Sequence, residues 1–366
     1  MKITVITSRF GISGVPLAQL RFARALASRG HTVEYIIGYV NEGNQEPNID
    51  GVKVHTLNKL RVINMILPLV TYFKKEKPNI VFTAGDHLNA IVTLAILITG
   101  LDIKISASSR VTPFDTYSNK LFSKRWILKQ LMKILMPKID VLTCVSKDMV
   151  KQYEEIFIKT KHTCVYNIIV DKESKKRIIE DIPEKDQYLF QGGSIIIAAG
   201  MLEPWKGFSD LILSMSELLK SKKAHLVILG EGSMKLELEN LIQSLNLNDN
   251  ITLLGYVANP LKYFRKADVF VLSSYVEGLP NVLIEAMMCG CTPVSTDCPT
   301  GPKEVLQNGK YGYLVPMRNP KALAKGIEEA LSKPISKKLL DEAIEPFSED
   351  NVISEHFKLL KINTHE

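Results

Sequence analysis

Short apolar runs alternate with amphipathic segments along most of the chain. Strands that are buried on both faces have continuous apolar sequences, and their alternation with helical patterns predicts βαβ units and parallel sheets. In the first half the predicted strands are Lys2–Ser8, Thr32–Gly38, Val52–Leu57, Asn79–Thr83, Lys104–Ser108 and Val141–Val145. In the second half they are Ser194–Ala199, His225–Leu229, Ile251–Gly255, Val269–Ser273 and Thr292–Thr296.

The two halves are separated by a polar segment without strand-like runs. A chain of 366 residues is long enough for two domains. We therefore predict an α/β protein with a first Rossmann-like domain over 1–170, a linker over 171–191 and a second Rossmann-like domain over 192–347. A final helix is predicted within 348–366, after Pro346 interrupts the preceding helical pattern.

Charge is unevenly divided between these halves. The net charge is +7, of which residues 1–170 contribute +11 and the remainder −4 by count. A basic first half and a mildly acidic second half indicate different partners. The longest apolar stretch, 88–101, is too short to span a bilayer, and the chain begins directly with a predicted strand, so a cytoplasmic protein without a signal peptide is expected.

A basic amphipathic helix is predicted over 119–136. Arg125, Lys129 and Lys133 recur every four residues and share one face, flanked by Phe122 and Trp126. Basic residues beside exposed aromatics are typical of helices that lie on an anionic membrane. An ordinary helix that packs by its aliphatic side and exposes its lysines is the alternative.

The most informative stretch is Glu277-Gly278-Leu279-Pro280-Asn281-Val282-Leu283-Ile284-Glu285. It follows a predicted buried strand, and Pro280 suits the first position of a helix, where a missing N–H costs nothing. Free N–H groups at the start of that helix form an anion site suited to a diphosphate. Two carboxylates on either side of such a site predict a pocket for a nucleotide sugar.

The spacing of Glu277 and Glu285, together with the Glu-Gly-Leu-Pro-Asn and Met-Cys-Gly-Cys-Thr-Pro-Val-Ser sequences around them, resembles the E-x7-E signature of retaining glycosyltransferase family 4. The resemblance implies the GT-B fold, in which two Rossmann-like domains face a central cleft and the C-terminal helix packs back on the first domain. It also implies a retaining, metal-independent hexosyltransferase.

Site residues follow from the same resemblance. Gly200–Gly207 resembles a family loop in which Lys206 binds the donor diphosphate and neutralises the leaving group, as a fixed cation would. Glu277 is expected at the sugar hydroxyls and Glu285 at the ribose, with Lys206 and Glu277 as catalytic residues. The other donor-binding residues expected are Gly278, Leu279, Pro280, Asn281, Val282, Gly207, Gly230, Glu231, Tyr256, Val257 and Gly14.

Departures from the family pattern leave questions open. Met201 stands where relatives place an arginine, and Arg110, Arg9 or Lys303 could replace it. Ser109 and Arg110 follow a strand where many relatives carry a histidine, so they and His87 are acceptor-side candidates without an assigned acid or base. Gly14 either approaches the donor or acceptor or simply forms a strand-to-helix turn, and His87 either faces the cleft or lies at the surface.

The expected function is transfer of a sugar, from a UDP-sugar, to a saccharide or lipid-linked acceptor in cell-surface glycan biosynthesis. Residues 296–304 resemble a bacterial subset that acts on polysaccharides, which includes lipopolysaccharide synthesis, and on lipid-linked sugars. No cofactor, metal or nucleic acid is expected, whereas peripheral contact with the inner face of the cell membrane is. The alternatives are a nucleotide-sugar epimerase and a catalytically weak binding subunit, for which Met201 is the argument.

Overall fold

The computed structural model describes residues 1–11 and 14–362, and the chain forms two compact units. The first unit contains Met1–Ile169 and the segment that begins at Phe347, and the second contains Val170–Pro346. The segment 171–191, expected as a linker, lies in the second unit. A helix forms there over Lys172–Ile178 because Asp171 caps it, accepting a hydrogen bond of 2.6 Å from the Ser174 N–H.

The first unit is built on a seven-stranded parallel sheet. Its order is β3-β2-β1-β4-β5-β6-β7. The strands are β1 Lys2–Phe10, β2 Thr32–Val40, β3 Val52–Thr56, β4 Ile80–Ala84, β5 Lys104–Ser109, β6 Val141–Cys144 and β7 Thr163–Cys164. The helices are α1 Gly14–Ala27, α2 Ile66–Glu76, α3 Asp86–Thr99, α4 Pro113–Thr116, α5 Lys124–Leu135 and α6 Lys147–Ile156, with 3-10 turns at Val62–Met65 and Met136–Lys138.

The second unit is built on a six-stranded parallel sheet of order β10-β9-β8-β11-β12-β13. The strands are β8 Ser194–Ala199, β9 Ala224–Leu229, β10 Ile251–Gly255, β11 Val269–Leu272, β12 Thr292–Thr296 and β13 Tyr313–Val315. The helices are α7 Lys172–Ile178, α8 Phe208–Leu218, α9 Lys235–Ser244, α10 Leu261–Phe264, α11 Asn281–Met288, α12 Pro302–Val305, α13 Pro320–Ser332 and α14 Lys337–Ile344. Its 3-10 segments are Glu184–Phe190, Pro204–Lys206 and Gln307–Gly309, and a further one, Glu345–Phe347, follows α14.

The last helix, α15 (Glu349–Leu359), belongs to the first unit. Val352 and Phe357 join the core formed by β1, β2 and α1. At its start Arg29 pairs with Glu349 at 2.5 Å and with Asp350. Burial of the apolar side of α15 therefore closes one face of the first sheet.

Both sheets confirm the predicted doubly wound architecture. In each sheet the strands are parallel, so all of their carboxyl ends lie at one edge, where binding sites of open α/β sheets form. No helix in the described part of the chain has the length and apolarity needed to cross a bilayer.

Candidate functional site

The predicted donor-binding residues of the second unit lie in loops at the carboxyl edge of its sheet. β8 leads into the loop 200–207, β9 into Gly230 and Glu231, β10 into Tyr256 and Val257, and β11 into the segment 273–280. Because the strands are parallel, these loops are neighbours although they are far apart in sequence.

Lys206 and Glu277 form an ion pair across two of these loops. Lys206 Nζ donates a hydrogen bond of 2.6 Å to Glu277 Oε1, and the two side chains are 17% and 11% exposed. Charge-assisted hydrogen bonds of this length are among the stronger ones in proteins. The structure thus brings together the two residues predicted to be catalytic.

Glu277 is held by further groups that sequence reasoning missed. The Ser274 hydroxyl donates to the same Oε1 at 2.7 Å, and the Thr300 hydroxyl donates to the Glu277 carbonyl. Cys298 is buried beside them, and burial together with the Glu277 charge raises the pKa of its thiol to about 12. The thiol is therefore protonated and inert at neutral pH. The sequence signals for this support are the serine pair 273–274, just after β11, and the segment 296–304.

The helix expected after Glu277 begins one residue later than predicted. Pro280 is the N-cap of α11, not its first residue, because its ψ of 78° is not helical. Its carbonyl nevertheless accepts a hydrogen bond of 3.0 Å from the Leu283 N–H. The Asn281 N–H also donates, to the Leu279 carbonyl at 2.9 Å, so the amino end of α11 lies beside Gly278 and Leu279. The positive end of the helix dipole is there.

Close approach of the backbone explains Gly207 and Gly230. A β-carbon on Gly207 would lie 2.1 Å from the Ser273 carbonyl oxygen, and one on Gly230 would lie 1.9 Å from the Gly200 carbonyl oxygen. Gly207 also has a φ of +65°. The Lys206 loop is fastened to β11 at this point, since the Ser273 hydroxyl donates to the Lys206 carbonyl at 2.8 Å.

The remaining donor-side residues are placed as follows. Glu285 lies on the second turn of α11, which Asn281 and Val282 begin. Glu231 is exposed and pairs with Lys235 at 3.1 Å. Tyr256 exposes 52% of its surface, so its ring is accessible to a planar ligand.

Met201 is 59% exposed and has no charge to offer a phosphate. Of its suggested replacements, Lys303 lies in the second unit, 3.6 Å from Asp297 Oδ2. Arg9 and Arg110 lie in the first unit. Arg318, which sequence reasoning missed, stacks on the Tyr275 ring at 4.8 Å, and the Tyr275 hydroxyl donates to Asp210.

In the first unit, the acceptor-side candidates follow strand ends at the corresponding edge. Ser109 ends β5, Arg110 follows it, and His87 is exposed on the first turn of α3. Gly14 is the first residue of α1, and a β-carbon there would have no neighbour within 4 Å among the described atoms.

A buried carboxylate that sequence reasoning missed lies under Ser109. Asp86 accepts hydrogen bonds from the hydroxyls of Ser109 at 2.6 Å, Tyr117 at 2.6 Å and Tyr153 at 2.5 Å. Tyr153 is also 3.1 Å from the Val111 carbonyl oxygen. Burial raises the pKa of Asp86. This network fixes the loop that contains Arg110.

The basic helix is shorter than predicted. Instead of 119–136, α5 spans Lys124–Leu135, because Ser123 caps it and accepts from the Trp126 N–H at 3.1 Å. Its aliphatic residues do not all pack inwards, as the alternative of an ordinary packed helix would require. Leu128 and Leu135 are buried, whereas Ile127 and Ile134 are exposed.

Exposed apolar side chains therefore lie both before α5 and along it. Phe122 is 81% exposed and Ile134 is 70% exposed. We define the α5 surface by its exposed apolar and basic members, which are Phe114, Lys120, Leu121, Phe122, Lys124, Arg125, Ile127, Lys133 and Ile134. Apolar groups interleaved with cations match the boundary of an anionic membrane.

Among the described residues, no group of three or more His, Cys, Asp or Glu side chains could hold a metal ion. At the strand ends of the second sheet, the ion pair of Lys206 with Glu277 lies in loops that neighbour the start of α11. Two doubly wound units, one with this arrangement at its strand ends, define the class of GT-B glycosyltransferases.

Comparison with known proteins gives the family. A model described as "Glycosyl transferases group 1" matches residues 180–345, and one described as "Glycosyltransferase Family 4" matches residues 12–173. A glycosyltransferase of Methanocaldococcus jannaschii is 31% identical over 69% of this chain and 67% of its own length. The chain belongs to glycosyltransferase family 4.

Two further similarities concern activity and fold. An N-acetylgalactosamine-N,N'-diacetylbacillosaminyl-diphospho-undecaprenol 4-alpha-N-acetylgalactosaminyltransferase of Campylobacter jejuni is 32% identical over 66% of this chain, which spans 64% of that relative. The structure of Anabaena HepE in complex with UDP-glucose has a TM-score of 0.75, with 16% identity and 99% of each chain covered. The latter likeness supports the fold alone.

Proposed function

We propose that this glycosyltransferase transfers a sugar from a UDP-sugar to a lipid-linked saccharide, with retention of configuration and without a metal ion. The observation that supports it best is the Lys206–Glu277 pair beside the amino end of α11. In this proposal the Lys206 cation and the positive end of the α11 dipole meet the diphosphate, and the carboxylate meets the sugar.

The chemistry requires stabilisation of the leaving group. When the bond between the sugar and the diphosphate breaks, negative charge builds on the phosphate oxygens. Lys206 and the α11 amides are fixed before the reaction, so they stabilise that charge without reorganising. Glu277 binds the sugar hydroxyls and holds Lys206 in place, and Glu285 binds the ribose.

Retention follows from the stereochemistry of the proposed donor. UDP-hexoses commonly have the α configuration at the sugar–phosphate bond, and the Campylobacter relative is named as an alpha-transferase. An α donor that gives an α product is transferred with retention. The donor phosphate itself can then accept the proton of the acceptor on the same face, so no side chain is assigned as the base.

Relatives also suggest the donor and the acceptor. The Campylobacter relative acts, by its name, on a saccharide linked to undecaprenol through a diphosphate, and HepE was solved with UDP-glucose. A lipid-linked acceptor remains anchored in the membrane, so an enzyme that binds the membrane surface is close to its acceptor. We propose that the α5 surface docks on the anionic inner face of the cell membrane, with cations at the headgroups and Phe122 at the acyl boundary.

Thermal unfolding against UDP-, GDP-, ADP- and TDP-sugars tests the donor pocket. A ligand that binds only the folded state at 100 times its dissociation constant adds about 2.7 kcal/mol, which should raise the midpoint by about 5 °C or more. We expect the increase with UDP-sugars, and we expect Glu285→Ala to remove it. Glu239→Ala, an exposed glutamate on α9, is the matched control and should retain it.

Transfer to undecaprenyl-diphosphate-linked N-acetylhexosamine, with the product anomer assigned by NMR, tests the reaction. Glu277→Ala should bind UDP yet lose transfer. Transfer at the native rate by this variant would contradict the assigned role, and a β product would contradict retention. Binding without transfer in the native protein would favour the weak binding subunit, for which the exposed Met201 is the argument. The epimerase alternative finds no support in the relatives named above.

A further inference from the structure

A small cavity lies in the first unit. It lies between the strand ends of β4 and β5, helix α1, helix α15 and the segment 166–168, and it is partly open to solvent. Its volume is about 20 Å³. A cavity needs roughly 10–15 Å³ of space for the centre of a water-sized sphere to hold one water molecule, so one guest of atomic size fits here. Its polar lining includes Gln19, Thr83, Arg110, Asn167 and His356.

Polar atoms at this cavity have no hydrogen-bond partner among the described residues. They are Arg110 Nε, Thr83 Oγ1 and Gln19 Oε1, all of which are buried. Thr83 is 1% exposed and Gln19 is 3% exposed. A buried polar atom without a partner costs about 1–3 kcal/mol, which a guest in the cavity would offset. The oxygen and nitrogen of the Gln19 amide exchange places by a half-turn, so Gln19 can present either an acceptor or a donor.

Arg110 places a positive charge at the cavity without a carboxylate to balance it. Its Nη1 donates to Asn167 Oδ1, which is neutral, and the lining residues include no aspartate or glutamate. Burial lowers the pKa of Arg110 to about 10, so it stays charged at neutral pH. His356 stays uncharged, since burial, with a contribution from Arg110, lowers its pKa to about 3.

Other charged side chains in this unit have partners of their own. The buried Asp86 accepts hydrogen bonds from three hydroxyls. Arg29 pairs with Glu349, and Glu34 pairs with Lys2 at 3.1 Å. Removing a charge from water without a partner is costly, and the usual remedies are a counter-charge or neutralisation. Since neither is present at Arg110, the cavity favours a guest with negative charge.

We propose that this cavity binds a small inorganic anion the size of chloride or bromide, held by Arg110 Nε, the Thr83 hydroxyl and the Gln19 amide. The small volume of the cavity matches a monatomic anion. The anion would link the β5 loop to the segments where the chain leaves and re-enters the first unit. These segments join where the Ile169 N–H donates to the Phe347 carbonyl at 3.0 Å. The anion would therefore stabilise the first unit.

Thermal unfolding in sodium bromide against sodium gluconate, at constant ionic strength, tests the proposal. Gluconate is too large for the cavity. We expect the native midpoint to rise with bromide concentration and then saturate. Arg110→Gln should abolish the increase, whereas Arg265→Gln removes the same charge from an exposed position in the second unit and should retain it. The comparison between the two variants cancels general effects of the salts.

Thr83→Val preserves the volume of the side chain and removes one donor. It should shift the bromide concentration for half saturation upwards by about tenfold, in line with the loss of one hydrogen bond to an ion. It also provides a test if Arg110→Gln fails to fold. Crystals grown in bromide should show an anomalous peak beside Arg110 Nε. A water molecule there without an anomalous signal, an unresponsive native midpoint, or an unchanged response in either cavity variant would each overturn the proposal.

Discussion

At the scale of single residues, the two carboxylate oxygens of Glu277 have different functions. Oε1 accepts hydrogen bonds from both Lys206 Nζ and the Ser274 hydroxyl, which leaves Oε2 as the oxygen of this carboxylate available to a sugar hydroxyl. Because Ser274 is buried and is the second residue after β11, it fixes the carboxylate from the side of the sheet. Support of this kind places a reacting group to within a fraction of an ångström.

Ser274→Ala should therefore lower transfer without unfolding the protein. Loss of one hydrogen bond to a charged group corresponds to about 1.5–3 kcal/mol, or a roughly ten- to hundredfold lower kcat/KM. Ser221→Ala is the matched control, because Ser221 donates to Glu328 at 2.9 Å on the exposed surface of the same unit. Equal kinetics in both variants would show that Ser274 does not position Glu277.

Gly207 offers a second test at this scale. Gly207→Ala combines a φ of +65° with a β-carbon 2.1 Å from the Ser273 carbonyl, so the Lys206 loop must separate from β11. Gly290→Ala is the control, since Gly290 has a φ of +97° and no atom within 4 Å of the added carbon among those described. We expect about 1 kcal/mol of destabilisation for the control and more than 2 kcal/mol for Gly207→Ala, measured by urea unfolding. Similar values would mean that the clash is relieved locally.

At the scale of elements, the sequence predicted every strand of four or more residues. β7 and β13, with two and three residues, were missed because so short a run gives no periodic signal. The start of α5 was missed because the basic pattern continues before Ser123, although Phe122 has a φ of +59° that ends any helix there. Contacts between distant residues, such as Asp86 with Tyr117 and Tyr153, leave no local pattern and required the structure.

The α5 surface yields a prediction for membrane binding. Phe122→Ala should weaken binding to phosphatidylglycerol vesicles by about tenfold, as expected when an aromatic ring no longer reaches the acyl boundary. Ile158→Ala is the control, because Ile158 is 87% exposed but lies after α6, outside the α5 surface. Vesicle sedimentation at two salt concentrations separates the apolar contribution of Phe122 from the electrostatic contribution of the lysines, because only the latter weakens with salt. Binding that is insensitive to Phe122→Ala would place the contact elsewhere.

At the scale of the whole molecule, the free energy of unfolding should decrease as the pH is lowered from about 6.5. Burial lowers the pKa of His162 from 6.5 to about 4, and it lowers that of His356 further. Between pH 6.5 and 4 the unfolded chain binds a proton at His162 that the folded chain does not. Stability from this residue is therefore complete above pH 6.5 and is progressively lost below it, by about 2 kcal/mol at pH 5.

His162→Leu separates this contribution from the other acid-sensitive groups. His162 is 2% exposed and packs on Tyr153 with ring centroids 5.0 Å apart, and leucine has a similar volume. Whatever its stability at pH 7, the variant should lose about 2 kcal/mol less than the native protein between pH 7 and pH 5, by urea unfolding at each pH. If the free energy of unfolding of His162→Leu depends on pH as that of the native protein does, His162 can be protonated in the folded protein. The acid sensitivity then arises from His356 and other groups.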